Sequence, residues 1–489
     1  MNSTDLQQLI DTTPTGLFIG GEFTDADNGD TFEVINPSDG SVLTTVASAS
    51  EADARRALDV IADAQTTWGT TPARERSEIL RRTYEYLIDH TEELAYLQSA
   101  ELGRALPDSE AEVTYGAEFF RWFAEEAVRV RGDYRHAPNG AGRIIVHEQP
   151  VGPSLAITPW NFPLAMGARK ISPALAAGCT MIVKPASKTP LTMLFLAKAL
   201  KESGLPDGVL AVLPTGHSAN VSALLDDARL RKFTFTGSTE VGQMLGAKAA
   251  EHSMKVSLEL GGNAPYIVCA DADLDVAAEA VAVAKMRGAG QVCIAANRFL
   301  VHSSVKDEFV AKATEVMKSF RIGPGTEDGV TYGPLSGADQ LEKVSGLVDD
   351  AMERGANRPL GGELPDGLHP DGYYYPATVL TDIAEGSEIL TEEIFGPVLA
   401  VSTFDTDDEA IAMANNTPFG LASYLFTENL THALDLAERI EAGMVAVNKG
   451  ALSDPAAPFG GVKESGLGRE GGFEGIHEFL EPKFISLPL

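Results

Sequence analysis

Cysteine is nearly absent from this 489-residue chain: there are three, Cys179, Cys269 and Cys293, and none stands in a C-x-x-C pair. An odd number without paired spacing speaks against a disulfide framework and supplies no structural zinc pattern, so no metal is expected, and a reducing cytoplasmic setting is. Basic residues are scarce too. Only 38 Lys and Arg face 70 Asp and Glu, for a net charge of -32, and the first lysine is Lys170. Such a charge repels nucleic-acid phosphates. It also fits a halophilic chain, in which abundant counterions screen the self-repulsion. No apolar run reaches the ~18 residues of a membrane-span candidate. The first twenty residues hold no basic stretch followed by an apolar one, so no signal peptide is expected.

What is present is 44% hydrophobic residues, enough for globular cores, in a length that fits two or three domains. Helical spacing of apolar residues marks 51–67, 73–90 and 110–130, and short strands are expected at 16–23, 31–35 and 143–148. From Gly152 strand and helix alternate: strands at 154–157, 180–183, 209–213 and 232–236, helices at 166–177, 191–203 and 219–225. This βαβ rhythm predicts a parallel sheet with helices on both faces and ligands beyond the carboxyl ends of its strands. Asn161, Lys184 and Gly237 fall at such ends. A second α/β unit begins near Gly261. In it Asp273 caps a helix running to Met286, Cys293 follows in a turn, and 298–302 is a strand. The last strand, 481–487, has no local hairpin partner and is expected to pair elsewhere, plausibly with another subunit.

Three places carry chemistry. Cys293 lies in the polar, glycine-flanked turn Gly290-Gln291-Val292-Cys293, whereas Cys179 and Cys269 sit in apolar runs and read as small buried hydrophobes. A thiol with an ordinary pKa of about 8.5 needs help to attack at neutral pH, so Cys293 by itself reads as inert or as a nucleophile. Glu259, between Leu258 and Leu260, is either a buried general base or a carboxylate on the polar face of a strand. The segment Gly237-Ser238-Thr239-Glu240-Val241-Gly242 follows a strand and opens a helix, a setting for phosphate binding. Thr239 replaces the middle glycine of a G-x-G-x-x-G fingerprint, and on that reading Glu259 would be a ribose ligand instead.

Seven stretches taken together resemble the aldehyde dehydrogenase superfamily: TPWNFP at 158–163, IVKPAS at 182–187, FTGSTEVG at 235–242, LELGGNAP at 258–265, GQVC at 290–293, EEIFGPV at 392–398 and PFGGVKESGLGREGG at 458–472. They occur in the family's order across most of the chain. The resemblance implies an α/β protein with a Rossmann-type dinucleotide-binding domain (1–126 and 150–260), an α/β catalytic domain (261–460) and a β oligomerisation arm (127–149 and 461–489), assembled as a homodimer or homotetramer. It implies that Cys293 is the nucleophile, that Asn161 and the Cys293 backbone N–H steady the oxyanion, and that Glu259 is the base. It further implies that Thr158, Trp160, Lys184, Gly237, Ser238, Gly242, Glu393 and Phe395 contact NAD or NADP. Ser187 stands where relatives favouring NAD often carry a glutamate, and Lys188 adds positive charge, so NADP is favoured.

The subgroup most resembled is the succinate-semialdehyde dehydrogenases. Arg169, Arg287 and Ser453 match positions that bind the substrate carboxylate there. Two guanidinium groups in one pocket are costly to desolvate unless an anion joins them. Ala295 departs from the second cysteine that many of that subgroup carry two residues after the nucleophile. Competing expectations are a glutarate- or 2-oxoglutarate-semialdehyde dehydrogenase, a general aldehyde dehydrogenase, and a catalytically inactive binding protein on the same fold.

Overall fold

The computed structural model describes residues 3–488. Its first large sheet has eight strands, in the order Gly466–Leu467, Lys255–Glu259, Lys232–Thr236, Ser154–Ile157, Met181–Lys184, Leu210–Val212, Leu17–Ile19, Glu22–Thr24. The five strands from Lys255–Glu259 to Leu210–Val212 run parallel. Ser154–Ile157 comes first of these along the chain but lies third across the sheet, so the winding direction reverses between it and Lys232–Thr236. A reversal of this kind opens a crevice beyond the strand ends, where ligands bind in such folds. All five strands are buried throughout except at Lys255 and Val256, which explains their continuous apolar runs.

The second sheet has seven strands, in the order Asn357–Leu360, Thr378–Thr381, Val398–Phe404, Ala296–His302, Ala264–Val268, Ala422–Phe426, Met444–Val447. Six run parallel, and Asn357–Leu360 caps one edge antiparallel. The link from the first sheet to the second is only Leu260–Asn263, so the ends of both sheets meet at that point.

Three expectations change. The terminal strand Leu480–Pro488 pairs within its own chain, antiparallel to Gly142–Pro150 from Leu480↔Pro150 to Pro488↔Gly142; its partner is remote in sequence, which a local reading misses. The arm is also narrower than 461–489. Gly466–Leu467 joins the first sheet beside Lys255–Glu259, and Ile476 and Phe479 are buried in the core under that sheet. Finally, two helices were not expected, Ser3–Thr12 and Thr91–Leu102. Residues 94–102 are buried on every side, so this helix shows no polar face and no 3.6-residue periodicity.

Candidate active site

Gly237 and Ser238 lead from the strand Lys232–Thr236 into the helix Thr239–Glu251. The Gly237 N–H donates to the Glu259 carbonyl at 3.1 Å, and the Thr158 N–H donates to the Lys184 carbonyl at 3.1 Å. The carboxyl ends of four neighbouring strands are thus laced together around the crevice. Ser238 is the N-cap of its helix, yet its side chain makes no capping bond, leaving hydroxyl and N-terminal amides available to an anion.

Gly237 and Ser238 line a cavity of about 190 Å³ with Trp160, Asn161, Thr236, Gly261, Cys293, Glu393 and Phe395. Most of these are expected site residues from the sequence; Pro159, Thr236, Leu260, Gly261, Gln340 and Lys343 are additional lining residues. The Phe395 backbone adopts φ +57°, an uncommon conformation for a non-glycine residue that recurs at functional sites. Its ring meets Trp160 edge-on, with centroids 5.5 Å apart. Glu393 is half-buried, and desolvation of its carboxyl lifts it to about 7 despite the Gly262 N–H donating to it at 3.1 Å. Burial also brings Lys184 down to about 8.

Gly242 does not line the cavity. A Cβ there would sit 2.2 Å from Leu260 Cδ2 and 3.2 Å from the Phe235 ring, so this glycine lets the helix pack against the sheet. Ser187 and Lys188 lie in a neighbouring cavity with Glu33, Glu101 and Asp339. The charge expected from Lys188 is already engaged: its Nζ donates to both Asp339 oxygens at 2.7 and 2.9 Å.

The turn that carries Cys293 follows a helix which departs from expectation. Asp273 does cap it, through the N–H groups of Asp275 and Val276. The α-helix ends at Val281, however, and continues as a wider π turn over 282–286. Gly288, Ala289 and Gly290 then all take positive φ. A Cβ on Gly290 would fall 2.2 Å from the Gly396 carbonyl oxygen, so the close approach of these two segments requires glycine there. The Asn161 side-chain amide donates to the Gln291 carbonyl at 3.1 Å. Tyr424 Oη donates to the Ile294 carbonyl at 2.8 Å. Cys293 is thereby pinned on both sides, half-buried. Burial pushes its thiol up to about 12; Arg169 and Arg287 pull it down, and Glu393 and Glu259 push it further up.

Glu259 ends its strand with 3% exposure, and both carboxylate oxygens lack a hydrogen-bond partner. Burial, then the nearby Glu470, holds it well above the usual carboxylate range, against the pull of Arg169 and Lys170. Arg169, on the helix Ala165–Ala177, is fully buried, lies over the Phe459 ring at 4.2 Å and pairs with Glu470. The guanidinium expected at the substrate is thus shared with a protein carboxylate, and its Nη2 is left without a partner. Arg287 is half-buried, stacks over Phe162 at 5.2 Å, and its Nε has no partner. Ser453 is half-buried in the irregular segment before Phe459.

Sequence reasoning missed two buried acids. Glu470 pairs with both Arg169 and Lys170; it lies inside the quoted GREGG stretch, but nothing local marks it. Glu112 pairs with Arg104 and accepts from the Leu164 and Ala165 N–H groups at 3.0 and 3.1 Å, holding the start of the helix that bears Arg169. Arg104 in turn donates to the Asn161 carbonyl.

Comparison with known proteins agrees with this geometry. The aldehyde dehydrogenase family model matches residues 23–485. A succinate-semialdehyde dehydrogenase from Paenarthrobacter nicotinovorans is 48% identical, over 91% of this chain and 99% of that protein. A glutarate-semialdehyde dehydrogenase from Pseudomonas putida is 44% identical, over 96% of this chain and 97% of its own. The crystal structure of an NADP-dependent enzyme from E. coli superimposes with a TM-score of 0.96 at 41% identity, covering 100% of both chains. The chain belongs to the aldehyde dehydrogenase family, whose members are NAD(P)-dependent oxidoreductases acting on aldehydes.

Proposed function

We propose that this enzyme oxidises succinate semialdehyde to succinate, with Cys293, Glu259 and Asn161 as its catalytic residues. The observation that carries the chemistry is the single cavity shared by Cys293, Asn161, Trp160, Gly237, Ser238, Glu393 and Phe395. The Cys293 thiol gives its proton to solvent, the sulfur attacks the carbonyl carbon, and the carbonyl electrons move onto oxygen. An Asn161 amide N–H and the Cys293 backbone N–H stabilise that oxyanion. Bound NAD(P) supplies the hydride acceptor through which the thiohemiacetal becomes a thioester. Glu259 then takes a proton from water, the water oxygen attacks the thioester carbon, and the acid leaves as Cys293 regains its thiol.

The residues present fit a dinucleotide. Ser238 and the helix amides would hold a phosphate, Glu393 would accept from ribose hydroxyls, and Trp160 and Phe395 would flank a nicotinamide. Thr158 and Lys184 hold the strand ends, Ser187 and Lys188 would meet the adenosine ribose, and Gly242 acts through packing. We read the cofactor preference as NADP, because Ser187 puts no negative charge beside a 2′-phosphate and Lys188 can exchange Asp339 for it.

The substrate assignment rests on two buried guanidinium nitrogens without a protein partner, Arg169 Nη2 and Arg287 Nε. Arg287 supplies the principal contact to a substrate carboxylate, Arg169 Nη2 the second, and Ser453 an assisting hydroxyl. Similarity to a glutarate-semialdehyde dehydrogenase favours the homologue one methylene longer as the second reading. The deciding experiment measures kcat/KM for succinate, glutarate and 2-oxoglutarate semialdehydes and for butanal, with both cofactors. Equal values for butanal and succinate semialdehyde overturn the assignment.

We further propose a homodimer or homotetramer built through the arm, whose terminal strand exposes Phe484, Ile485 and Leu487. The three free cysteines fit a reducing cytoplasm, and the acidic excess fits stability that rises with KCl.

A further inference from the structure

At the carboxyl end of the strand Ala264–Val268, outside the cavity above, Cys269, Asp271 and His432 bring one ligand atom each to within 4.8 Å of one another. The strand is five residues long, so at about 3.3 Å per residue its length, roughly 16 Å, separates Cys269 from the Gly261–Asn263 end that meets Cys293. The cluster is assembled from distant segments. Cys269 is 3% exposed and its N–H donates to the Phe426 carbonyl at 3.0 Å. His432 lies in the first turn of the helix Leu430–Arg439. Asp271 faces solvent and gives the cluster an open side.

The imidazole is held in one orientation. Asp407 Oδ2 sits 2.9 Å from His432 Nε2, which places a proton on Nε2 and turns Nδ1 toward the cluster. Nδ1 there lies 3.3 Å from Thr427 Oγ1. That hydroxyl donates its own proton to Asp271 Oδ2 at 2.8 Å. Nδ1 therefore faces an oxygen with no proton to give, next to a carboxylate, a thiol and a second carboxylate behind the ring. Such an arrangement calls for a cation. A carboxylate behind a ligating histidine is also the usual outer support of a metal site.

We propose that Cys269, Asp271 and His432 bind a zinc-class divalent cation through sulfur, oxygen and Nδ1, with water in the fourth position. Thiolate, imidazole and carboxylate together suit zinc rather than magnesium or calcium. Bonds of about 2.0–2.3 Å to a tetrahedral ion bring ligand atoms within about 4 Å of one another. The three ligand atoms, already within 4.8 Å of one another, need to tighten by less than about an ångström. On coordination the metal–sulfur bond forms and the thiol proton passes to solvent.

Cobalt(II) added to the full-length protein after chelator treatment is the test. One Co(II) per chain is expected, with a thiolate-to-cobalt charge-transfer band that Cys293→Ser keeps and Cys269→Ser abolishes. His432→Gln and Asp407→Asn should each weaken binding at least tenfold, the usual range for ligands and their supporting carboxylates. His432 and Asp407 lie toward the surface, so these variants decide the matter even if the buried Cys269→Ser fails to fold. Absence of the band shows that Nδ1 is satisfied by a proton alone and overturns the proposal. So does a band that disappears with Cys293→Ser, or affinity unchanged in His432→Gln.

Discussion

The Asn161 side-chain amide donates to the Gln291 carbonyl, 3.1 Å away and two residues before Cys293. One amide N–H therefore fixes the nucleophile's turn, while the second stays available to an oxyanion. Asn161→Ala should lose both, and a drop in kcat of about 10²–10³ is expected, the usual loss for one oxyanion donor. Cofactor binding, followed by fluorescence, should change little. An unchanged kcat removes Asn161 from the chemistry.

Glu259 is held above the usual carboxylate range by burial. A raised acid is protonated at lower pH and becomes a base only as pH rises, so acid release should accelerate toward alkaline pH. Glu259→Gln should flatten that rise and slow steady-state turnover about 10²–10⁴-fold, yet leave the first-turnover burst of reduced cofactor. Stopped-flow absorbance reads both. Loss of the burst would put Glu259 before hydride transfer.

The two arginines should separate. Arg287→Ala should raise KM for succinate semialdehyde about 10–100-fold, corresponding to about 1.5–3 kcal/mol for a charge-assisted hydrogen bond, and leave butanal nearly unaffected. Arg169→Met leaves Glu470 buried with Lys170 alone. It should therefore cost about 3 kcal/mol of stability, the low end for a broken buried pair, seen as a lower Tm. A stable Arg169→Met with a large KM defect would restore Arg169 as a dedicated substrate ligand.

Lys188 is bound to an exposed Asp339. Asp339→Asn should free it and raise kcat/KM for NADP by about twofold to fivefold, the scale of an exposed ion pair, with NAD unchanged. If wild-type enzyme already prefers NAD strongly, the cofactor reading fails.

The terminal strand lies on the edge of the arm sheet with Phe484 62% exposed. An apolar sheet edge left uncovered invites association. Phe484→Asp should shift the species seen by light scattering toward monomer. An unaltered mass places the interface elsewhere.

The sequence alone determined the alternation of strand and helix from Gly152, because buried parallel strands are written as short apolar runs between turn residues. It also singled out Cys293, whose polar, glycine-rich turn differs from the settings of Cys179 and Cys269, and the ordered motifs around Asn161, Glu259 and Glu393 named the family. Tertiary structure decided which charges are free. Glu470 claims Arg169, Asp339 claims Lys188, and Glu112 supports the helix that bears Arg169; partners so far apart along the chain leave no local pattern. It decided that Gly242 serves packing, since only the position of Leu260 shows the missing Cβ. It also gathered Cys269, Asp271 and His432, because ligand geometry depends on distance in space and not on spacing along the chain.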